Sequence, residues 1–388
     1  MFHTSVIELS LSALRKNLRF LRGITGSYPR FTSVIKGNAY GHGISVFLPL
    51  AEQCGVRSFA VFSADEALQA IRARTEGSHV MIMGAIDNDQ IGWAIENDVS
   101  FYVFEPDRLR AAAQVAKGVG RPARIHLEVE TGLNRTGFDA SELRGSLELI
   151  RSHAPCVVVE GVCTHLAGAE SIGNYLRIIQ QLQAFHDLRA SLAQQDVPLG
   201  LAHAACSAAI FAYPASILDM VRVGIAHYGF WPSLETRMHY LLQHVRDPHA
   251  RVTDPLRRVM EWKSRIMSLK PVKPGEFVGY GTSYLTSRPQ RIATVPVGYF
   301  HGFARNLSNL GHVLLHGRRA NVVGAVNMNM MMIDVSDFPH AQKGDEVVII
   351  GRQKRAHISV ASFSDMTRFL NYEVLVRLPS EIPRRVVA

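Results

Sequence analysis

Lys36 closes the apolar, β-prone run Phe31-Thr32-Ser33-Val34-Ile35, and Gly37, Gly41 and Gly43 follow at once with Tyr40 and His42 among them. This spacing puts one amine at the mouth of a buried strand, where glycines let the backbone pass close to a ligand. An amine desolvated there loses part of its preference for charge, and can act as a nucleophile or a proton carrier. A strand-end lysine can equally lay its stem along apolar surface and keep its charge in water. Five further polar residues stand where the pattern ends other strands: Arg135, His165, His203, Ser207 and Arg222. Singly, each has a plain structural explanation, such as a satisfied core histidine for His165 or a surface pair for Arg222. They become a site only if one fold gathers their strand ends on one face.

The runs that must carry them are 31–35, 58–62, 80–83, 100–104, 124–129, 157–163, 200–204 and 220–224, eight in all. Helical or alanine-rich segments lie between them, at about 43–54, 65–74, 87–97, 107–117, 140–152, 172–195 and 207–217. In the longest, Ile172, Leu176, Ile179, Leu182, Phe185 and Leu192 fall along one stripe, with Ser171 as N-cap and Pro198 beyond the end. Eight β-α repeats predict an α/β fold, a closed (β/α)8 TIM barrel over 10–240, with its chemistry at the carboxyl ends of the strands. An open dinucleotide-binding sheet is less apt, because no Gly-x-Gly-x-x-Gly opens the first helix.

From 241 to 388 the texture changes to short β-prone runs: Met260–Leu269, Phe277–Tyr280, Ile292–Val297, Val313–Leu315, Met330–Val335 and Val347–Ile350. Pro274-Gly275 and Lys343-Gly344-Asp345 carry turn chemistry. This predicts a separate, mostly antiparallel β domain, with one late helix near 359–370 and residues 1–9 able to pair with it.

The chain has 388 residues, 47% hydrophobic and 19% charged, the composition of a core-burying protein. Its net charge of +9 is scattered, and the densest spots are pairs such as Arg257-Arg258 and Arg384-Arg385. That distribution points away from nucleic acid and is as suited to small anions. Cys54, Cys156, Cys163 and Cys206 lack metal-ligand spacing, so reduced thiols in a cytoplasm are expected and no metal is. No segment has the length of a membrane span, and the amino terminus lacks a long apolar core.

Six ordered motifs sharpen the picture. They are Val34-Ile-Lys36-Gly-Asn-Ala-Tyr40-Gly-His-Gly, Thr131-Gly-Leu-Asn-Arg135, Thr164-His165, Arg222-Val-Gly224-Ile225 with Tyr228-Gly229, Gly279-Tyr280-Gly281, and Asn371-Tyr372-Glu373. In these, and from about residue 5 to 380, the chain resembles the bacterial alanine racemases, pyridoxal-phosphate enzymes built as a barrel followed by a β domain. The resemblance implies that Lys36 holds the cofactor through its amine and serves as one catalytic base. It implies that Tyr280, lent by the second subunit of a homodimer with shared active sites, is the other. A free phenol loses its proton only near pH ~10, and the family supplies positive neighbours at positions matching His165 and Arg222. Arg222 would also face the pyridine nitrogen and, as a lasting cation, keep it unprotonated. Phosphate holding maps onto Tyr40, Ser207, the amides of Gly224 and Ile225, and Tyr372. His203 falls in the cofactor-binding set. Arg135 would meet the cofactor's phenolic oxygen and the substrate carboxylate. Met328 and Tyr299 map onto substrate-binding positions, where packing in the β domain is the plain alternative.

Four differences, at five positions, set the chain apart from the family pattern. Glu128 stands where many members carry a carbamylated lysine, and its carboxylate is expected to pair directly with Arg135. Cys206 precedes Ser207 where the family has asparagine. His301 replaces an acid, and Ala325 and Asn329 replace an arginine and an acid near the substrate entrance. The function expected is therefore amino-acid racemisation, of alanine first and of serine or a basic amino acid as alternatives. A decarboxylase of the same build would need a cysteine from the second domain, and none follows Cys206. A non-catalytic pyridoxal-phosphate carrier would leave the second domain without a purpose.

Overall fold

The computed structural model describes residues 3–75, 77–194, 197–244, 253–360, 363 and 371–388. It divides into two compact units. One comprises Ala13–Gly37 with Leu48–Arg257; the other joins Met1–Ser12, Asn38–Phe47 and Arg258–Ala388. The amino-terminal segment and Asn38–Phe47 thus group with the late part of the chain, whose main stretch begins at Arg258.

In the first unit eight parallel strands form one sheet. They are β2 (Arg30–Val34), β3 (Ser58–Ser63), β4 (His79–Ala85), β5 (Val99–Val103), β6 (Ala123–Glu128), β7 (Val157–Cys163), β8 (Leu201–His203) and β9 (Met220–Val223). Their order is β8-β7-β6-β5-β4-β3-β2-β9. The ring closes where Asp219 and Arg222 donate backbone N–H groups to Ala202 and Ala205, each at 3.0 Å. Strands covered on both faces read as nearly unbroken apolar runs, and all five residues of β5 are buried. The connecting helices bury one stripe each. The helix Pro106–Val119 buries Leu109, Ala112, Ala113 and Ala116 and ends on left-handed Gly120. The helix Ala140–Ser152 starts from a capping box, Asp139 with Glu142.

The helix Tyr175–Leu192 corrects the single-stripe expectation. Ile178, Leu182, Phe185 and Leu192 are buried, whereas Ile172, Leu176 and Ile179 are exposed, and Gln181 takes a buried place in the row. Ile172–Asn174 forms a separate 3-10 turn capped by Ser171, which rotates the first turn out of register with the rest.

The second unit holds two sheets. β1 (Ser5–Ser10) lies between antiparallel β10 (Met260–Arg265) and parallel β18 (Arg384–Val387), in a sheet that continues to β16 (Glu346–Gln353), β13 (His312–Leu315) and β14 (Arg318–Asn321), with β17 (Ala356–Ile358) off β16. β11 (Ser268–Val272), β12 (Gln290–Val295) and β15 (Met331–Asp334) make an antiparallel trio over Val278, Ile292, Val323 and Met332. Phe277–Tyr280 is not a strand. Gly279 and Gly281, with φ of +79° and +72°, break the ladder on both sides of Tyr280, and only Phe277 bridges to Leu285. Most of the late helix expected at 359–370 lies outside the described residues. No helix among the described residues is long and apolar enough to cross a membrane.

Candidate active site

Lys36 directly follows β2, whose neighbours in the ring are β3 and β9. The chain is pinned on both sides of it: the Tyr228 hydroxyl donates to Val34 O at 3.0 Å, and Gly37 N–H donates to Glu66 Oε1 at 2.6 Å. The Lys36 side chain is reachable by solvent, yet the protein around it partly desolvates its amine. Burial of the amine, then the charge of Arg135, lower its pKa from the ordinary lysine value, with Glu66 opposing them. An amine in that setting gives up its proton more readily than a free lysine does.

The backbone after Lys36 is unusual. From Gly37 to Gly41 five consecutive residues have positive φ, three of them (Asn38, Ala39 and Tyr40) not glycine. L-residues adopt this left-handed conformation rarely, and almost never in series. The turn is held by Gly43 N–H to Asn38 O at 2.8 Å, and by Ile44 N–H to the Asn38 side chain at 3.0 Å. Within the second unit it packs so closely on the helix Asn371–Val376 that a Cβ on Gly41 would lie 2.0 Å from Leu375 O. The rings of Tyr40 and Tyr372 stand 6.0 Å apart there.

The other strand-end residues of the first unit gather around Arg222 of β9. Its guanidinium is buried, donates to Thr164 O at 2.9 Å, His203 O at 3.1 Å and Ala204 O at 3.2 Å, and touches His203 Nδ1. Burial works against its charge, but Tyr102, Cys163, Cys206 and Glu128 more than offset this and keep it a cation. His165, after β7, lies near Arg222, Arg135 and Lys36. Burial and those three charges push its pKa down to about 3. Such a lowering favours the neutral ring of His165, while Arg222 keeps its charge. Ser207, after β8, accepts N–H from Gly224 at 2.8 Å and from Ala226 at 3.4 Å, so amides just beyond β9 converge on one oxygen.

Arg135 is exposed at the end of a loop shaped by Glu130, which accepts the backbone N–H groups of Gly132 and of Asn134 (2.8 Å). Glu128 does not pair with it. The Glu128 carboxyl is buried and accepts the Thr136 hydroxyl at 2.8 Å, and no Glu128–Arg135 ion pair lies within 4.0 Å. Burial raises its pKa, against the opposing effects of Thr136, Arg222 and Arg135. The Glu128 carboxyl is thus held by Thr136, and Arg135 reaches it only as a charge at longer range.

Tyr280, Tyr299 and Met328 belong to the second unit and are all exposed, Tyr280 by 75%. Tyr299 and Met328 share one local frame, since Tyr299 and Phe300 donate their N–H groups to Asn327 O (3.0 Å) and Met328 O (2.9 Å). His301 turns inward, accepting Gly298 N–H on Nδ1 at 3.2 Å, and burial lowers its pKa. Asn329 is exposed and Ala325 half-buried. No group of three or more His, Cys, Asp or Glu among the described residues is arranged to hold a metal.

Sequence reasoning passed over Glu66, Glu130 and Gln181. Gln181 is buried in a helix, accepts from Ala167 N–H at 2.8 Å, and donates to His165 O at 3.0 Å and Thr131 Oγ1 at 3.4 Å, bracing two site loops together. The available signal was a polar residue at an inward position between Ile178, Leu182 and Phe185.

The family described as "Alanine racemase, N-terminal domain" matches residues 9–232, and "Alanine racemase, C-terminal domain" matches 259–386. The alanine racemase of Leptospira interrogans serovar copenhageni is 33% identical over 388 residues, 99% of this chain and 96% of that protein. The alanine racemase of Symbiobacterium thermophilum is 34% identical over 378 residues, 97% of this chain and 95% of that protein. Among solved structures, alanine racemase from D-cycloserine-producing Streptomyces lavendulae superposes with a TM-score of 0.88 at 29% identity, covering 100% of this chain and 98% of that one. Alanine racemase from Bartonella henselae, with covalently bound pyridoxal phosphate, gives 0.82 at 25% identity, covering both chains completely (100% and 100%). This chain belongs to the alanine racemase family, whose members are pyridoxal-phosphate-dependent isomerases.

Proposed function

We propose that the chain interconverts the enantiomers of a small amino acid, alanine foremost, with Lys36 and Tyr280 as its two proton-transferring groups. The observation that carries this reading is Lys36 itself: one amine of lowered pKa at the end of the first barrel strand, in the field of Arg135 and near His165. The donor set suits pyridoxal phosphate. The Ser207 hydroxyl and the Gly224 amide lie together just beyond the strand ends, two donors of the kind that would hold a phosphate. Tyr40, Tyr372 and the Ile225 amide complete the phosphate set, His203 and Arg222 serve the ring nitrogen, and Lys36 attaches the coenzyme. The bound coenzyme supplies an electron sink that makes removal of a Cα proton accessible.

The protein's own part is positioning and proton movement. Lys36 Nζ serves one face of the substrate Cα and Tyr280 Oη the other, so a proton taken from one side returns to the opposite side. Arg135 orients the substrate carboxylate with the Met328 amide, and Tyr299 narrows the approach. Arg222, a cation that cannot give up its proton, leaves the pyridine nitrogen unprotonated.

Tyr280 is lent by a second copy in a homodimer. Two unspent apolar surfaces support this. The barrel unit exposes Ile172, Leu176, Ile179, Leu234, Met238 and Leu242, joined where Ser233 Oγ donates to Glu170 O at 2.6 Å. The other unit exposes Phe277, Tyr280, Leu285, Tyr299, Phe300 and Met328. Contiguous apolar surface of this kind marks a protein interface. The four cysteines are free thiols, in keeping with a cytoplasmic setting.

The test is a panel of single L- and D-amino acids, including alanine, serine, lysine and arginine, read by chiral chromatography. Alanine should racemise fastest, and borohydride should fix the coenzyme on Lys36. Inversion of no amino acid, or labelling of a different lysine, would overturn the reading.

A further inference from the structure

A polar file runs through the barrel interior, away from the face just described. His203 Nε2 and His126 Nδ1, on β8 and β6, are 2.9 Å apart, and both rings are fully buried. His126 Nε2 has no hydrogen-bond partner, and it stands 3.8 Å from Glu160 Oε2 on β7. Glu160 is itself gripped by His79 Nε2 at 3.2 Å and Arg124 Nη1 at 2.7 Å, and Arg124 pairs with Asp98 at 2.9 Å. β7 makes room for the file through Gly161, where a Cβ would lie 2.5 Å from His126 Nδ1.

The direction of this file is set by its two ends together, Arg222, which only donates, and the Glu160 carboxylate, which only accepts. Arg222 only donates, so the His203 Nδ1 that touches it must carry a lone pair. The His203 proton is then on Nε2 and is given to His126 Nδ1. The His126 proton is in turn on Nε2, aimed at the Glu160 carboxylate. Reversing either ring would set an N–H against a guanidinium N–H or against another ring N–H. Burial and neighbouring positive charge hold both histidines below the ordinary value, so both rings are neutral. Burial opposes the ionisation of Glu160, but His126, His79 and Arg124 outweigh it and keep the carboxyl ionised.

We propose that Glu160 is a positioning residue for Arg222, fixing the tautomers of His126 and His203 from the far end of the file. Arg222 lacks a carboxylate among its direct partners, and its in-plane orientation depends on carbonyls and on the lone pair of His203. Glu160 keeps that lone pair facing it. The inference rests on the racemase reading for its kinetic consequence only.

The test is 15N NMR of the histidine rings in the holoenzyme, assigned by substituting His126 and His203 in turn. Wild type should show both rings neutral with the proton on Nε2. In Glu160→Gln a second tautomer should appear at both rings, and kcat should fall about tenfold, the scale of one weakened charge-assisted hydrogen bond, while KM holds. Asp98→Asn, which loosens Arg124 without touching His126, should change neither. A proton on Nδ1 of either ring in wild type would overturn the proposal. So would unchanged rings in Glu160→Gln, or in Glu160→Asp, whose shorter arm withdraws the carboxylate, should the first variant not fold. Wild type that inverts no amino acid would sink the racemase reading and leave the ring measurement standing.

Discussion

Thr136 donates its hydroxyl to the buried carboxylate of Glu128 at 2.8 Å, while Arg135, one residue earlier, makes no ion pair with it within 4.0 Å. The consequence is a carboxyl whose main neighbour is neutral. Its raised pKa means the folded state binds a proton that the unfolded chain has released, so this group favours folding more as pH falls. The window runs from the ordinary glutamate value of 4.5 up to the raised one. Urea unfolding should show wild type gaining stability relative to Glu128→Gln as pH falls from 7 towards 5. Thr136→Val should cost about 1.5 kcal/mol at pH 7 by stranding an ionised acceptor. A difference between wild type and Glu128→Gln that does not change with pH would remove the account of Glu128.

The histidines carry the opposite sign. His42 and His165 are each pushed from 6.5 to about 3 by burial first, with Arg384 adding to it for His42, and Arg222, Arg135 and Lys36 for His165. The unfolded chain therefore takes up protons that the folded one refuses, and stability drains as pH falls through 6.5. Each such ring contributes a slope of up to about 1.4 kcal/mol per pH unit between those values. NMR titration should find both rings unprotonated at pH 5.5, and a His165 signal titrating near 6.5 would contradict the site electrostatics.

Gly41→Ala tests the left-handed turn. The new Cβ would meet Leu375 O at 2.0 Å, at a backbone φ of +78°. The substitution should destabilise by about 2–4 kcal/mol. It should also separate Tyr40 from Tyr372, so the coenzyme should dialyse away faster. An unchanged urea midpoint would contradict the packing.

The barrel was legible because parallel strands covered on both faces leave short apolar runs, and β2 through β9 each produced one. The lysine turn was legible as glycines but not as a left-handed series, because Asn38, Ala39 and Tyr40 carry no mark of positive φ. The strand-end residues Arg222, His203 and His165 could be named from their place after a strand. Their protonation could not, since it depends on charges brought from three other strand ends. Glu128 was misassigned for a similar reason: sequence distance to Arg135 is short, but the carboxylate is taken by the hydroxyl of Thr136 instead. The stripe through Ile172, Leu176 and Ile179 misled because Ile172 belongs to a separate 3-10 turn, while Leu176 and Ile179 sit on the exposed side of the helix, away from buried Ile178, Leu182 and Phe185, and exposed apolar residues read in sequence like core.

Mixing two inactive variants, Lys36→Ala and Tyr280→Phe, after partial unfolding and joint refolding, tests the two-base, two-subunit arrangement most directly. Half of randomly assorted dimers pair one of each chain, and each mixed dimer regains one intact site of two, so about a quarter of wild-type racemisation should return. Activity no higher than that of the separate variants, in a mixture shown to contain mixed dimers, would contradict it.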